Sequence, residues 1–316
     1  MRKQGKIMIA LLLLVCCAAS LAFAQGSTEE TRKTYTIVFN EPFTRPHTLA
    51  EAANMFKELV EARTQGGIKV DVHYGGVLGT SREALEAVQI GTQTMVDAAT
   101  APVVAFEPAF GVLNLPYLFS SREQWYGVLD GKLGQDLLAK LESKGFVGLA
   151  YLENGVRHVT NNTRPIYRYE DLAGIKIRLM QSQVFISTFE AFGCLTTTTP
   201  WSELYSALQQ KVVDAQENPV SNIENAKLYE VQKYLSLTGH TYDPNIYFIN
   251  KKFFDSLPAD YQKIVREAAM EVAAWQRKAA AAAEIARFRA KCSSVYDTQA
   301  ASIGKDIVKA WTEAVK

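Results

Sequence analysis

The sequence predicts an α/β protein of two lobes that share one long helix. Strand-like and helix-like stretches alternate along the chain, the pattern of a mostly parallel sheet with helices packed on it in each lobe. The 316 residues suit one large domain or two ordinary ones. From Pro258 to Cys292 the chain reads as helix with almost no breaker, and at ~1.5 Å per residue it would reach about 50 Å, more than one small domain spans. A composition of 48% hydrophobic and 21% charged residues is ordinary for a globular protein and excludes a disordered chain, a collagen or a coiled coil.

The first 24 residues stand apart. Arg2, Lys3 and Lys6 precede an apolar run from Ile7 to Val15, and Ala22-Phe23-Ala24 is a small-x-small cleavage pattern, so residues 1–24 read as a secretory signal peptide cut before Gln25. The run is too short to span a membrane, although a retained anchor, or a lipid on Cys16 or Cys17, is the alternative. Losing three cations turns a net charge of +1 into −2. The remainder has no apolar stretch of ~20 residues, so an exported, soluble protein is expected. Export makes ATP-driven or nicotinamide chemistry unexpected, and the small net charge gives no reason to expect nucleic acid as a partner.

After a polar linker from Gly26 to Lys33, Tyr35 to Phe39 reads as a strand ended by Asn40-Glu41-Pro42. Leu49 to Arg63 has helical spacing, with Ala53, Phe56, Leu59 and Val60 on one stripe, and Gly66-Gly67 stops it. Ile68, Val70, Val72 and Tyr74 alternate with polar residues as a strand does. Thr80 with Glu83 forms a capping box before a helix ending at Gly91, and Ser120 with Glu123 predicts the same for a helix reaching Leu141. Phe146 to Leu152 and Ile175 to Leu179 read as strands, the second with Lys176 and Arg178 on its opposite face. Thr199-Pro200 predicts a helix start and a helix to Lys211. Tyr234 to Leu237 and Ile246 to Ile249 read as two further strands.

Several catalytic signatures are missing. There is no Cys-x-x-Cys, His-Glu-x-x-His, Gly-x-Ser-x-Gly or phosphate-binding glycine loop, and the four histidines are scattered. No cofactor or metal is expected. Cys194 and Cys292 are the cysteines outside the leader, too few for a disulfide framework; they read as two buried thiols, with one bridge left open.

In an open α/β sheet, ligands bind beyond the carboxyl ends of strands. Asn40, Arg157, Arg178, Asn218 and His240 fall at such positions. Two arginines with amide and imidazole groups suit a small polar anion, because the guanidinium fork matches a carboxylate with two parallel hydrogen bonds. Each also has a structural reading: an ion pair for either arginine, a turn for Asn218 before Pro219, a loop position for His240, and packing for Trp201.

These segments resemble a known family. Asn154-Gly-Val-Arg157, Thr160-Asn161, Arg164-Pro165-Ile166, Asp171-Leu-Ala-Gly-Ile-Lys-Ile-Arg178, Pro200-Trp-Ser-Glu-Leu-Tyr205 and Asp214-Ala-Gln-Glu-Asn-Pro219 are similar to the solute-binding subunits of TRAP (tripartite ATP-independent periplasmic) transporters, of the dicarboxylate-binding (DctP) type. The resemblance covers residues 34–310. It implies a two-lobed periplasmic-binding-protein-like architecture with a long helix spanning both lobes, expected here as residues 25–154 plus 244–283 and residues 155–243 plus 284–316. It implies Arg178 as the main carboxylate clamp, Arg157 as a second contact, Asn218 against the carboxylate or its arginine, Trp201 packed on the ligand, and His240 and Asn40 nearby. Gln181, His47, Glu41 and Asp97 are candidate polar selectors. Ala215 and Leu179-Met180 depart from the family's usual residues, and Thr80-Ser81 and Ala99 stand where members that bind sialic acid carry acids.

The expectation is a monomeric periplasmic subunit that captures a carboxylate-bearing small molecule by lobe closure, a sugar acid before a C4-dicarboxylate or keto acid, and passes it to membrane subunits. The alternatives are a secreted enzyme on a sugar acid, for which His240, Glu41 and Asp97 would have to act, and a ligand-sensing binding protein.

Overall fold

The computed structural model describes residues 33–291, with side chains of the last helix described through residue 281. The leader, Cys16, Cys17, Cys292 and residues 292–316 of the last expected lobe segment lie outside the described residues. Strand β1 (Tyr35–Asn40) leads through α1 (Thr48–Arg63) to β2 (Ile68–His73), and α2 (Ser81–Ile90) leads to β3 (Met95–Ala99). The predicted capping box is present at Thr80 and Glu83, and Gly91 ends α2 in the left-handed region. A short α3 (Thr100–Val103) follows.

The single helix expected from Ser120 to Leu141 is two, α4 (Arg122–Asp130) and α5 (Lys132–Ala139), followed by a 3₁₀ turn. Ser121, not Ser120, is the N-cap and accepts from Gln124 N at 3.2 Å. The chain turns at Gly131, and Gly134 comes so close to the Leu129 carbonyl that a Cβ there would lie 1.9 Å from its oxygen. An apolar stripe does not reveal such a break, because both short helices bury the same side.

Strand β4 (Phe146–Asn161) is followed by β5 (Lys176–Leu179), α6 (Gln183–Ala191), β6 (Leu195–Thr198), α7 (Leu204–Gln209), β7 (Ala215–Pro219) and α8 (Val220–Asn225). The helix expected from Thr199-Pro200 begins instead as a 3₁₀ turn, Trp201–Glu203, and ends at Gln209. Then come β8 (Tyr234–Asn250), α9 (Lys251–Asp255) and α10 (Ala259–Lys291). The two expected strands at Tyr234 and Ile246 are one 17-residue strand, and β4 runs nine residues past Leu152. Both extensions hide in polar sequence, since Glu153, Asn154, Arg157, His240, Asp243 and Asn245 interrupt the apolar alternation although all are buried.

All eight strands form one sheet in the order β2-β1-β3-β8-β4-β7-β5-β6. The expected parallel pairing holds on the flanks, where β1 pairs with β2 and β3, and β5 with β6 and β7. The centre is antiparallel, through β3–β8, β8–β4 and β4–β7. Strand and helix alternation reports only local crossovers, so it cannot show that β8 returns between two parallel groups.

Alternate residues of the central strands feed opposite faces. Tyr247 and Ile249 join a core with Phe39, Phe56, Val265 and Val272, while Ile246 and Phe248 join one with Trp125, Leu141 and Phe146. Separate cores form around Ile177, Phe185 and Phe189, and around Leu204, Leu208 and Ile223. The predicted long helix is present, 33 residues from Ala259, and it is held by buried polar contacts of Gln276 and by a surface ion pair. Gln276 Nε2 donates to Glu153 O and Thr48 Oγ1, its Oε1 accepts from Glu153 N, and Arg63 pairs with Glu271 at 2.6 Å. Cys194 is a buried thiol 3.4 Å from Leu172 O, pushed by burial up to about 11, so it is chemically inert at neutral pH.

Candidate functional site

The register of the sheet decides where the polar residues meet. Ala99, the last residue of β3, lies opposite Asn245, and Pro219, the last residue of β7, lies opposite Arg157. The carboxyl ends of both parallel groups therefore stop at the middle of the β4–β8 pair, where Gly155 faces Asp243. Gly155 has φ +136°, and a Cβ would lie 2.8 Å from Pro219, so a glycine is needed where β4 bends beside β7. A cavity enclosing about 380 Å³, part of it open to solvent, sits at this point. Pro42, Phe43, Ser81 and Ala99 line it from the β1–β3 side, Arg178, Met180, Trp201, Asn218 and Asn222 from the β5–β7 side, and Asn154 and Asn245 from the central strands.

Arg178 is 2% exposed. Its Nε donates to Thr199 O at 2.7 Å, and its Nη1 has no partner among the described residues. Burial lowers its pKa to about 10, against the attraction of Glu217 and helped by the repulsion of Arg157. It remains a cation at neutral pH with no acid of its own. Such a charge is expensive to bury unless something pairs with it.

Arg157 is its opposite. It is fully buried but does not line the cavity. Its guanidinium binds Glu217 in a two-pronged pair, Asp243 Oδ2 at 2.6 Å, Glu217 O at 2.6 Å and Asn218 Oδ1 at 3.2 Å. Burial pulls its pKa down, but Glu217 and Asp243 outweigh that and hold it above its ordinary value. Glu217, despite burial, is held down to about 2 by Arg157 and His240, while burial pushes Asp243 up. Arg157, expected as a second ligand contact, is here engaged by Glu217 and Asp243 and bonds the Asn218 side chain that lines the cavity.

His240 does not line this cavity; it lines a separate one, with Tyr117, Phe189, Phe192 and Thr238. Its Nε2 donates to Glu217 Oε2 at 3.0 Å, because a carboxylate only accepts, and this leaves Nδ1 to accept from Thr238 Oγ1 at 2.8 Å. Gln181 is exposed and does not line the cavity. Asn40 donates to Gly79 O at 3.2 Å, and its Oδ1 has no partner among the described residues. Glu41 and Asp97 are buried behind the wall of the cavity. Of the sequence candidates, Arg178, Asn218 and Trp201 line it.

His47 caps α1 and reaches across. Its Nδ1 accepts from Leu49 N at 3.2 Å, and its Nε2 donates to Asn222 Oδ1 at 3.0 Å. Asn222 in turn donates to Asn154 Oδ1 at 2.9 Å, and Phe43 meets Trp201 edge-on at 5.7 Å. The elements that follow β1 and β7 therefore touch over the cavity.

Burial lowers the pKa of His47 to about 4, opposed by its bond to Asn222. The unfolded chain takes up a proton below ~6.5, which the fold refuses until about 4, so this group's stabilising effect is present above ~6.5 and is lost as pH falls towards 4. Glu41 and Asp97, whose pKa values are raised, act in the opposite sense over the same range. His47→Asn keeps a good N-cap but removes the titrating ring. Between pH 7.5 and 5 the wild type should lose about 2 kcal/mol, or about 5 °C of melting temperature, relative to this variant. Parallel melting curves for the two proteins would contradict that.

Sequence reasoning missed Asn154, Asn222 and Asn245. Asn154 opens the very segment from which only Arg157 was taken. Asn222 lies four residues after Asn218, one helical turn further on. An asparagine inside a strand, as at 245, is itself a signal, because the residue type is disfavoured there.

Two sheet flanks facing a cleft floored by an unpaired arginine define a two-lobed solute-binding protein. The sequence model of the family described as bacterial extracellular solute-binding protein, family 7 (DctP), matches residues 39–316, and the chain belongs to this family of TRAP-transporter solute-binding proteins. It is 38% identical over 227 residues, 72% of this chain and 69% of the other, to the 2,3-diketo-L-gulonate-binding periplasmic protein YiaO of Escherichia coli. The sugar acid binding protein DctPAm of Advenella mimigardefordensis, solved with galactonate, superposes with a TM-score of 0.77 at 35% identity, covering 88% of this chain and 96% of that one. A TRAP periplasmic solute binding protein of Sulfurospirillum deleyianum, solved with succinate, gives 0.76 at 31% identity over 89% and 99%. Members of the family bind small organic acids in the periplasm and work with membrane subunits. No helix among the described residues is long and apolar enough to cross a membrane.

Proposed function

We propose that this chain is an exported, monomeric binding subunit that captures a carboxylate-bearing small molecule on Arg178 and delivers it to the membrane subunits of a TRAP transporter. The observation that carries this reading is a buried guanidinium in a cleft, with no salt-bridge partner among the described residues and one Nη left without a hydrogen bond there. A micromolar ligand needs about −8 kcal/mol. One charge-assisted hydrogen bond nets ~1.5–3 kcal/mol, so Asn218, Trp201 and water expelled from the cleft must supply the rest. The galactonate of one relative and the diketogulonate named in another favour a sugar acid.

The lobes that close on it are residues 25–154 plus 244–283 and residues 155–243 plus 284–316. In support, the buried residues of two hydrophobic cores fall between Ile37 and Leu152 and between Ile246 and Ala273, and those of the other two between Val159 and Leu228, apart from Ala101; Trp201 and Tyr242 pack on the first two from the other side. Binding rather than catalysis is favoured by the side chains an enzyme would need. His240 is engaged by Glu217 and Thr238, and Glu41 and Asp97 are walled off from the cavity.

A thermal-shift screen of the mature protein against aldonates, uronates, keto acids and C4-dicarboxylates tests the reading. An acid at about 100 times its dissociation constant should add ~2.7 kcal/mol of stability and be recovered chemically unchanged. If no acid raises the melting temperature, or if the bound acid is converted, the proposal fails.

A further inference from the structure

Resting on the acid-capture reading above, we infer that Asn245 accepts a ligand hydroxyl and that the Glu41–Asp97 carboxyl pair behind it turns away a second carboxylate, so that the site selects a hydroxylated acid with a single carboxylate. The geometry starts at Asn245, which lines the cavity and is 1% exposed. Its Nδ2 donates to Asp97 Oδ1 at 2.9 Å, which fixes the amide the one way round that faces its donor to the acid. Oδ1 is left with no partner among the described residues. A buried acceptor of this kind is satisfied by a ligand O–H and left stranded by an alkyl chain.

Behind Asn245, Ala99 and Asn245 face one another across the β3–β8 pair, as do Asp97 and Tyr247. Asp97 and Glu41 are both fully buried, and Glu41 Oε2 and Asp97 Oδ2 have no donor among the described residues. Glu41 Oε1 accepts from Phe43 N at 3.0 Å. Two carboxylates only accept, so neither can satisfy the other while both are ionised. Burial raises Glu41 well above the usual carboxylate range, with Asp97 adding to it, and raises Asp97 to about 7. Two buried carboxyls with oxygens that lack a donor among the described residues lie on this side, and the cation of Arg178 lines the cavity from the β5–β7 side. A ligand with a carboxylate at one end and hydroxyls at the other matches this polarity, whereas a dicarboxylate puts its second charge against an acid.

Erythronate and succinate, both of four carbons, make the test, read by isothermal titration calorimetry at pH 7.5. The wild type should bind erythronate about 100-fold more tightly than succinate. Asn245→Ala should weaken erythronate about 10-fold and leave succinate within about 2-fold, and Glu41→Gln with Asp97→Asn should strengthen succinate about 10-fold relative to erythronate. A purely structural role for these residues would weaken both acids equally and leave the ratio unchanged. The wild-type comparison keeps the test standing if a variant fails to fold. Succinate binding as tightly as erythronate, with Arg178→Met abolishing both, would overturn this inference and leave acid capture intact. Neither of the two binding, and no acid of the thermal-shift screen raising the melting temperature, would remove the acid-capture reading and this inference with it.

Discussion

Arg178→Met should abolish acid binding and leave the melting temperature of the unliganded protein unchanged or a few degrees higher. The substitution keeps most of the side chain's apolar volume and removes a charge that has no salt-bridge partner among the described residues, Glu217 acting on it only at longer range. What it forfeits is the 2.7 Å bond from Nε to Thr199 O, worth about 1 kcal/mol. Against this stands the relief of a desolvated cation, whose strain is visible in the fall of its pKa to about 10. Replacing buried ionic groups with apolar ones is often neutral or stabilising. The effect on binding is much larger. Truncating one partner of a buried, hydrogen-bonded charge pair costs about 2–5 kcal/mol, a loss of about 30-fold to several thousand-fold in affinity. Arg178→Lys should restore only part of it, because an ammonium supplies a point charge and not a two-pronged fork. Calorimetric titration and a melting curve on the same samples separate the two effects. A variant that melts about 10 °C lower and still binds acid would make Arg178 a structural residue.

Arg157→Met should do the reverse, destabilising the unliganded protein by about 3–5 kcal/mol, or roughly 10 °C. The side chain looks equivalent in sequence, but its removal takes from Asp243 its cation and leaves Glu217 with only the His240 ring at 3.0 Å, both acids being fully buried. The pH dependence should change sign as well. In the wild type, Glu217 is held at about 2, below its unfolded value of ~4.3, so its stabilising effect is present above ~4.3 and lost as pH falls towards 2. Without Arg157 the same carboxyl is a buried acid with a raised pKa. The fold then binds a proton that the unfolded chain does not, and stability rises as pH falls from 7.5 to 5. Adding Glu217→Gln and Asp243→Asn to the variant should recover much of the lost stability, since the two acids that Arg157 neutralised are then uncharged. A melting temperature within 2 °C of the wild type for the single variant would show that the network contributes little.

The contrast between these arginines marks the limit of legibility. Both follow or end a strand, and both sit in segments that resemble the same family. Nothing in the local sequence distinguishes an arginine sealed by Glu217 and Asp243 from one left open to a ligand, because those acids arrive from β7 and β8, 60 and 86 residues away. His240 fails for the same reason, its Nε2 being claimed by Glu217 on another strand. Signals confined to one turn or one strand fared better. The Thr80 capping box, the Gly91 stop, the helix from Thr48 and the long helix from Ala259 depend on neighbours a few residues apart, and all are present as read or within a residue. The extensions of β4 and β8 were invisible because they are polar, and they are polar because they carry the site.

The sequence alone determined the α/β class, the parallel flanks, the long C-terminal helix and an arginine at the end of β5, since each follows from backbone preference and periodicity along a single stretch. Only the tertiary structure decided that the centre of the sheet is antiparallel and that both sets of carboxyl ends stop at the same point on β4 and β8. It also decided which arginine is neutralised and which asparagine is left with an unclaimed oxygen. The reason is that pairing and desolvation are properties of groups brought together from distant parts of the chain, and a charge is free or bound only with respect to what the fold sets beside it.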